Sequence, residues 1–485
     1  MFKSRNEIDM CSGPIASKLI LYVIPIIISG YLQLLFNAAD MAIVGQFSAN
    51  GERSLAAVGS TSSLINLIVN VFMGLSTGAN ALVGRRVGAG DKEGIKGAVH
   101  TSVFLSILSG FIVMIIGIVF SKALLVMMGS PADIIDLSAL YLKIYFLGAP
   151  FLMFYNFGAA ILRSVGDTRR PLFFLMISGV LNVVLNIVLV AVFNMDVAGV
   201  AIATVVSQIV SAVLVFITLC RNKGSVRLIP KEIKPSAEEL KQILMIGIPA
   251  GVQSSMFSLA NSVVQSSINY LGTATMAACS AASSIEGFVY LAMNSFYQAT
   301  LSFVSQNFGR RDFKRIGQIM RWAFLFVIAA GLISGTIVMY FNEFLVGLYI
   351  SNDAVNRAEI INLTWQRNVI VVWPYFLCGV MEVLVATLRA IGKSIVPMFS
   401  TIIGVCGGRM FWIFVVFRSI RDTDGIDAFG IHITPLQILM LAWPFAWILT
   451  STAHSITLLL EFKKQKRKDL AIEKINVINA VKSEQ

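Results

Sequence analysis

The sequence predicts an all-α integral membrane protein, with about twelve transmembrane helices in two pseudo-symmetric six-helix lobes. Three observations carry this. The 485 residues are 56% hydrophobic and only 13% charged, whereas roughly a quarter of the residues in soluble domains are charged. The apolar residues gather into runs of about 20, enough to cross roughly 30 Å of hydrocarbon. The second half of the chain also repeats the landmarks of the first.

Taken in order, the runs cover 19–46, 55–83, 99–120, 137–162, 171–193 and 197–219, then 243–270, 276–305, 319–341, 368–388, 395–417 and 436–460. Their connectors alternate in charge. Arg85, Arg86, Lys92 and Lys96 follow the second span, Arg163, Arg169 and Arg170 the fourth, and Arg221, Lys223, Arg227, Lys231 and Lys234 the sixth. Arg310, Arg311, Lys314 and Arg315 follow the eighth, Arg389 and Lys393 the tenth, and Lys463, Lys464, Lys466, Arg467 and Lys468 the last. The intervening connectors are short or acidic, so both termini are expected in the cytoplasm of a cell membrane, that of a bacterium. The net charge of +12 therefore reads as a topology signal, and nucleic acid is excluded as a partner because no basic patch carries interleaved aromatics. The five cysteines show no paired spacing that would imply a disulfide framework or a metal site. The polar stretch before the first span is too long for a secretory leader, so that span is expected to be retained.

The internal repeat gives the domain organisation. Ile24-Pro25 matches Ile248-Pro249, Asn37 matches Asn261, and the turn Gly88-Ala-Gly-Asp91 matches Gly309-Arg-Arg-Asp312. Pro150 matches Pro374, Arg163 matches Arg389, Gly166 matches Gly392, and Pro171 matches Pro397. The expected parts are a cytoplasmic N-terminus (1–14), a first lobe (15–221), a linker (222–238), a second lobe (239–462) and a basic tail (463–485). Two lobes of even span number share an axis along the membrane normal and commonly rock about a central cavity, as in secondary transporters.

One acidic residue stands inside the first span. An Asp at the centre of a spanning helix costs about 2.5–3.5 kcal/mol on insertion scales, so Asp40 needs a reason. At about 1.5 Å per residue, Asp40, Asn186 and Thr204 lie about 10–12 Å below the same membrane face, on three different spans. Asn182, one turn from Asn186, extends that level inward. A carboxylate, carboxamides and a hydroxyl suit a proton or a hard cation such as Na⁺. The alternative is a structural carboxyl hydrogen-bonded between helices.

The proline-bearing first helix ending FNAADMAIVG, the turns after spans two and eight, and YNFGAAILRSVGDTRRP in span four resemble the multidrug and toxic compound extrusion (MATE) family, of the MOP type. Within it, the DinF-like and MepA-like bacterial branch is the most similar, and the likeness runs from about Leu19 to Leu460. The resemblance implies a cation-coupled antiporter whose first-helix aspartate is the coupling carboxylate. The matching positions are Asp40, Asn182, Asn186 and Thr204, with Asn156 nearby. Some relatives carry a second aspartate where this chain has Asn186, which leaves H⁺ versus Na⁺ open.

The second lobe differs. Val264 stands where the repeat would place Asp40, and Glu286, Glu382 and Arg409 form a candidate charge network, with an Arg409–Glu286 ion pair expected near mid-membrane. Arg163 and Arg389 read as anchors at the cytoplasmic surface, and Asp91 and Asp312 as helix caps. Among 33 Phe and 20 Met, a few lining a cavity suit flat organic cations. The expected function is export of organic, cationic or amphipathic, small molecules by a monomer, driven by inward H⁺ or Na⁺ flux, with no cofactor and no enzymatic activity. A lipid-linked precursor flippase of the same superfamily is the alternative. Those relatives carry two further helices and a strongly basic cavity, whereas one mid-membrane arginine is legible here. No GxxxxGK[ST] loop supports ATP-driven transport.

Overall fold

The computed structural model describes residues 7–48, 51–350, 356–428 and 430–483. Residues 1–6 of the expected N-terminal segment, and the side chains of Lys466 and Lys468, lie outside the described residues. Among the described residues, eleven helices are long and apolar enough to cross a membrane, and one bent pair makes a twelfth. The first six spans are Ile15–Phe47, Gly51–Ala89, Lys92–Met127, the pair Ile135–Leu147 and Ala149–Ser164, Arg169–Val192 and Asp196–Arg221. The second six are Ala237–Tyr270, Thr273–Gly309, Phe313–Tyr340, Arg357–Ala390, Ile395–Ser419 and Pro435–Gln465. A short antiparallel hairpin, Ile426–Ala428 with Ile431–Ile433, precedes the last span. In lipid every backbone polar group must find a partner within the chain, which is why long helices dominate.

The two copies break at matching prolines. The fourth span bends by 48° between Leu147 and Ala149, where Pro150 cannot donate to the helical ladder. Gly110 of the third span gives the break room, since a Cβ there would stand 2.4 Å from Pro150 Cα. In the tenth span Pro374 leaves the helical conformation (φ −84°, ψ 21°), and a Cβ on Gly335 of the ninth would approach Trp373 Cα to 2.9 Å. The tenth span also starts at Arg357 rather than at 368, so Arg367 lies inside the helix. Both Asp91 and Asp312 cap the helix that follows, accepting from Gly94 N and Arg315 N at 2.9 Å.

The lobes meet tightly toward the end that carries the basic connectors and the described residues before the first span. Second and seventh spans cross on glycines: a Cβ on Gly74 would stand 2.3 Å from Gly251 N, and one on Gly251 would stand 2.1 Å from Val71 O. Small residues let membrane helices approach to backbone contact in this way. The matched turns interlock reciprocally, Gly88 against Gln306 O and Gly309 against Arg85 O, with no room for a side chain at either glycine. Polar bonds cross the same seam, with Gln306 Nε2 donating to Ser164 O (2.7 Å) and Tyr22 Oη to Ser302 Oγ (2.7 Å). The N-terminal strap closes over it. Ile8 N donates to Gly166 O, while Asn307 Nδ2 and Arg315 Nε donate to Met10 O.

The first span belongs to both lobes. Its early residues Leu19, Tyr22 and Val23 are buried in one core with Ile246, Phe296 and Phe303 of the second lobe, whereas Ile43 and Val44 pack with Val190 and Val197 of the first. Pro25 lies between these two attachments.

Candidate functional site

The structure brings four of the five first-lobe candidates together. Asn186 Nδ2 donates to Asp40 Oδ1 (2.5 Å) and contacts Asn182 Oδ1 (3.3 Å), and Asn182 Nδ2 reaches Thr204 Oγ1 at 3.5 Å. Asn186 Oδ1 is buried without a hydrogen-bond partner. The fifth span widens into a π-helical turn, Ile187–Val192, directly after Asn186, a distortion that recurs at functional sites. No Lys, Arg or His pairs with Asp40 among the described residues. The carboxylate is thus bonded to one amide, Asn186, which is linked in turn to Asn182 and, through it, to Thr204. A carboxylate, amides and a hydroxyl are groups that suit a proton or a small hard cation. Asn156 stays outside this network, because its Nδ2 returns to Leu152 O of its own helix (2.8 Å).

None of these five residues lines the large cavity of about 670 Å³ between the lobes. The cavity runs from Asn80, Arg163 and Arg389 toward the basic end, past Gly74, to Gln265 and Ile268 near the far end of the seventh span. Most of its wall belongs to the second lobe, including Glu286, Glu382, Arg409, Trp443 and Trp447. The expected Arg409–Glu286 pair does not form. Glu286 Oε2 instead accepts from Arg367 Nη2 (2.5 Å) and Oε1 from Tyr375 Oη (3.1 Å). The physical reason is the proline break: the turn at Pro374 sets Arg367 and Tyr375 on successive segments of the tenth span, both facing the eighth. Arg409 stands between two π-helical stretches, Ile402–Gly407 and Trp412–Val416. It donates to Asn261 Oδ1 (2.7 Å) and lies 4.7 Å from the Trp443 ring centroid. Glu382 lines the same cavity and makes no hydrogen bond or ion pair among the described residues. The three candidates therefore share one cavity without forming one bonded network.

Two further expectations are corrected. Arg389 is not a surface anchor: it is 7% exposed, and donates to Tyr297 Oη (2.5 Å) and Gln253 Oε1 (2.8 Å) inside the cavity. Arg163 lines the cavity floor as well. Arg367 was missed because it falls just before an apolar run. The acid deep in the eighth span signals that a cation must face it, but in the sequence Arg409, at the same depth, fills that role.

The family model described as MatE matches residues 25–188 and again 249–414. A protein of Bacillus subtilis described as a probable multidrug resistance protein, YoeA, is 26% identical, over 91% of this chain and 91% of its own length. A protein of Shewanella oneidensis described as an FAD transporter is 23% identical, over 93% of this chain and 95% of its own. Among solved structures, that of a MATE protein in complex with MaL6 superposes with a TM-score of 0.85 at 22% identity, covering 96% of this chain and 100% of that one.

Proposed function

The chain belongs to the MatE family, and from that premise we propose that it is a secondary antiporter in which a cation binding at Asp40 drives export of an organic solute from the interlobe cavity. Membership makes it a multi-pass membrane transporter of small molecules, and not an enzyme. The coupling role is the further step. One observation supports it above the others: Asp40 lies in a spanning helix against Asn186, with no cationic partner among the described residues. A charge left in that position without a counter-ion is costly, and a proton or Na⁺ removes the cost. Asn186 Oδ1, buried and unpartnered, is a second oxygen available to an ion.

The path from ion to solute runs along the first span. Asp40 sits in its far half, and the near half is built into the second lobe's core. Between them Gly30 packs on Leu291, whose side chain lines the cavity. Loading Asp40 changes which packing of this helix is favoured, and the helix transmits that preference to both lobes. The basic end is assigned to the cytoplasm by its lysines and arginines, so the sealed seam closes the inner face and the cavity opens outward. The test is efflux of a panel of dyes and drugs from an efflux-deficient bacterial cell, repeated with the Na⁺ or the pH gradient collapsed. Export is expected to stop with one of the two gradients and in Asp40→Asn. Export that persists in Asp40→Asn at the wild-type rate rejects the coupling role.

The flippase alternative gains one point from the structure, because four arginines line the cavity where one was legible in the sequence. The twelve candidate spans among the described residues are the number expected of the exporter.

A further inference from the structure

We infer that the interlobe cavity accepts an organic anion, an aromatic or heterocyclic body bearing a phosphate or carboxylate, rather than an organic cation. The inference rests on the cavity being the solute site of the proposed exporter, and it names the class of that solute. The charged side chains lining the cavity are Arg163, Arg367, Arg389 and Arg409 against Glu286 and Glu382. Four positive and two negative groups leave an excess of two positive charges. Glu286 is committed, since Arg367 and Tyr375 occupy both of its oxygens.

Two of these buried arginines, Arg389 and Arg409, make no hydrogen bond or ion pair with an acid among the described residues. Arg389 bonds only to a phenol and an amide oxygen, and Arg409 only to an amide oxygen and a ring face. Buried guanidiniums are normally paired with carboxylates, because a neutral acceptor does not replace the lost hydration of a full charge. Both side chains are more than nine-tenths buried. Each retains a buried Nε–H without an acceptor, and Arg367 retains two such N–H groups. Planar guanidiniums with free N–H groups match the oxygens of phosphate and carboxylate, often bidentately. Glu382, two helical turns from Arg389 on the same face of the tenth span, is the charge that partly balances the empty cavity. A bound anion takes over that balance. Tyr290, Trp443 and Trp447 supply ring surfaces for the body of the solute, and the volume of about 670 Å³ is within the range that holds one drug-sized ligand.

The test uses a matched pair that differs by one group: riboflavin and riboflavin 5′-phosphate, titrated by flavin fluorescence against the purified full-length protein in nanodiscs, with the cation ethidium as a third probe. The phosphate ester is expected to bind at least about tenfold more tightly than riboflavin. In Arg389→Gln and Arg409→Gln the ratio of the two affinities is expected to fall toward one. Should either variant fail to run as a single species on size exclusion, Glu382→Gln serves in its place, since removing the competing acid is expected to raise the ratio. Competition by undecaprenyl phosphate with the same arginine dependence supports the anion site and places its ligand in the bilayer, whereas competition by soluble phosphate esters alone supports the site and places its ligand in the aqueous phase. Equal binding of the two flavins, or preference for ethidium, overturns the inference. Binding is measured without any gradient, so that outcome leaves the role of Asp40 standing, and failure of gradient-driven efflux in the previous test leaves the anion site standing.

Discussion

The two lobes share one backbone plan and carry opposite chemistry. Both place a proline early in their leading helix, break their fourth member at a matching proline and distort their fifth member into π-helical turns. Yet the first lobe sets one half-buried carboxylate, Asp40, against neutral amides within a spanning helix, and the second lines a cavity with arginines, two glutamates and tryptophans. At the position equivalent to Asp40 the second lobe has Val264, which is 1% exposed. On the proposals above, a duplicated scaffold has been divided: one copy offers a carboxylate and amides suited to a small cation, the other arginines and rings suited to a larger charged molecule. The first span, rooted in both cores, is the element through which one can influence the other.

That division makes the lobes respond differently to loss of charge. Removing Arg367 leaves Glu286 in the membrane with only a phenol for company, and breaking a buried ion pair from one side costs about 3–5 kcal/mol. Arg367→Ala is therefore expected to lower the thermal unfolding temperature of the purified protein sharply, and Glu286→Gln in the same chain to recover part of the loss. Asp40→Asn, with no counter-ion to strand, is expected to unfold near wild type. The contrast fails if the two single variants are equally unstable.

Asn186→Ala tests how the first-lobe site is poised. Loss of a hydrogen bond to a charged group costs about 1.5–3 kcal/mol, and here, at a half-buried site, that cost falls on the ionised form of Asp40. The Na⁺ or proton concentration giving half-maximal efflux should shift while the stability of the second lobe does not. The smallest effect is expected at Asn156. Its amide is spent on Leu152 O, so Asn156→Ala should cost no more than about 1 kcal/mol and leave the ion dependence of efflux unchanged. A large shift there would extend the first-lobe site beyond Asp40, Asn182, Asn186 and Thr204.

Much of this was legible in the chain itself, for a physical reason. Bilayer thickness imposes run length and the cost of buried charge imposes spacing, so twelve spans and the isolated Asp40 stood out. Asp40, Asn186 and Thr204 could be set at one depth because helical rise is constant. What could not be read was which charge meets which. Arg409 and Glu286 were matched by depth alone, but partners depend on helix rotation and on the proline break, which brought Arg367 to Glu286 instead. Arg163 and Arg389 sit at the edge of apolar runs, where a membrane anchor and a residue at the foot of a cavity look alike in sequence. Only the glycine-to-glycine approach of the lobes turns that edge inward.

The central claim is that a single carboxylate in one lobe governs how both lobes pack. It is tested most directly by spin-label distances between Lys92→Cys and Lys314→Cys, exposed positions that open the third and ninth spans, in a background without the native cysteines. In the wild-type sequence the distance distribution should move when Na⁺ is added or the pH is lowered, as the seam at the basic end opens or closes. With Asp40→Asn it should stay in one population under every condition. An unchanged response in Asp40→Asn would contradict the account.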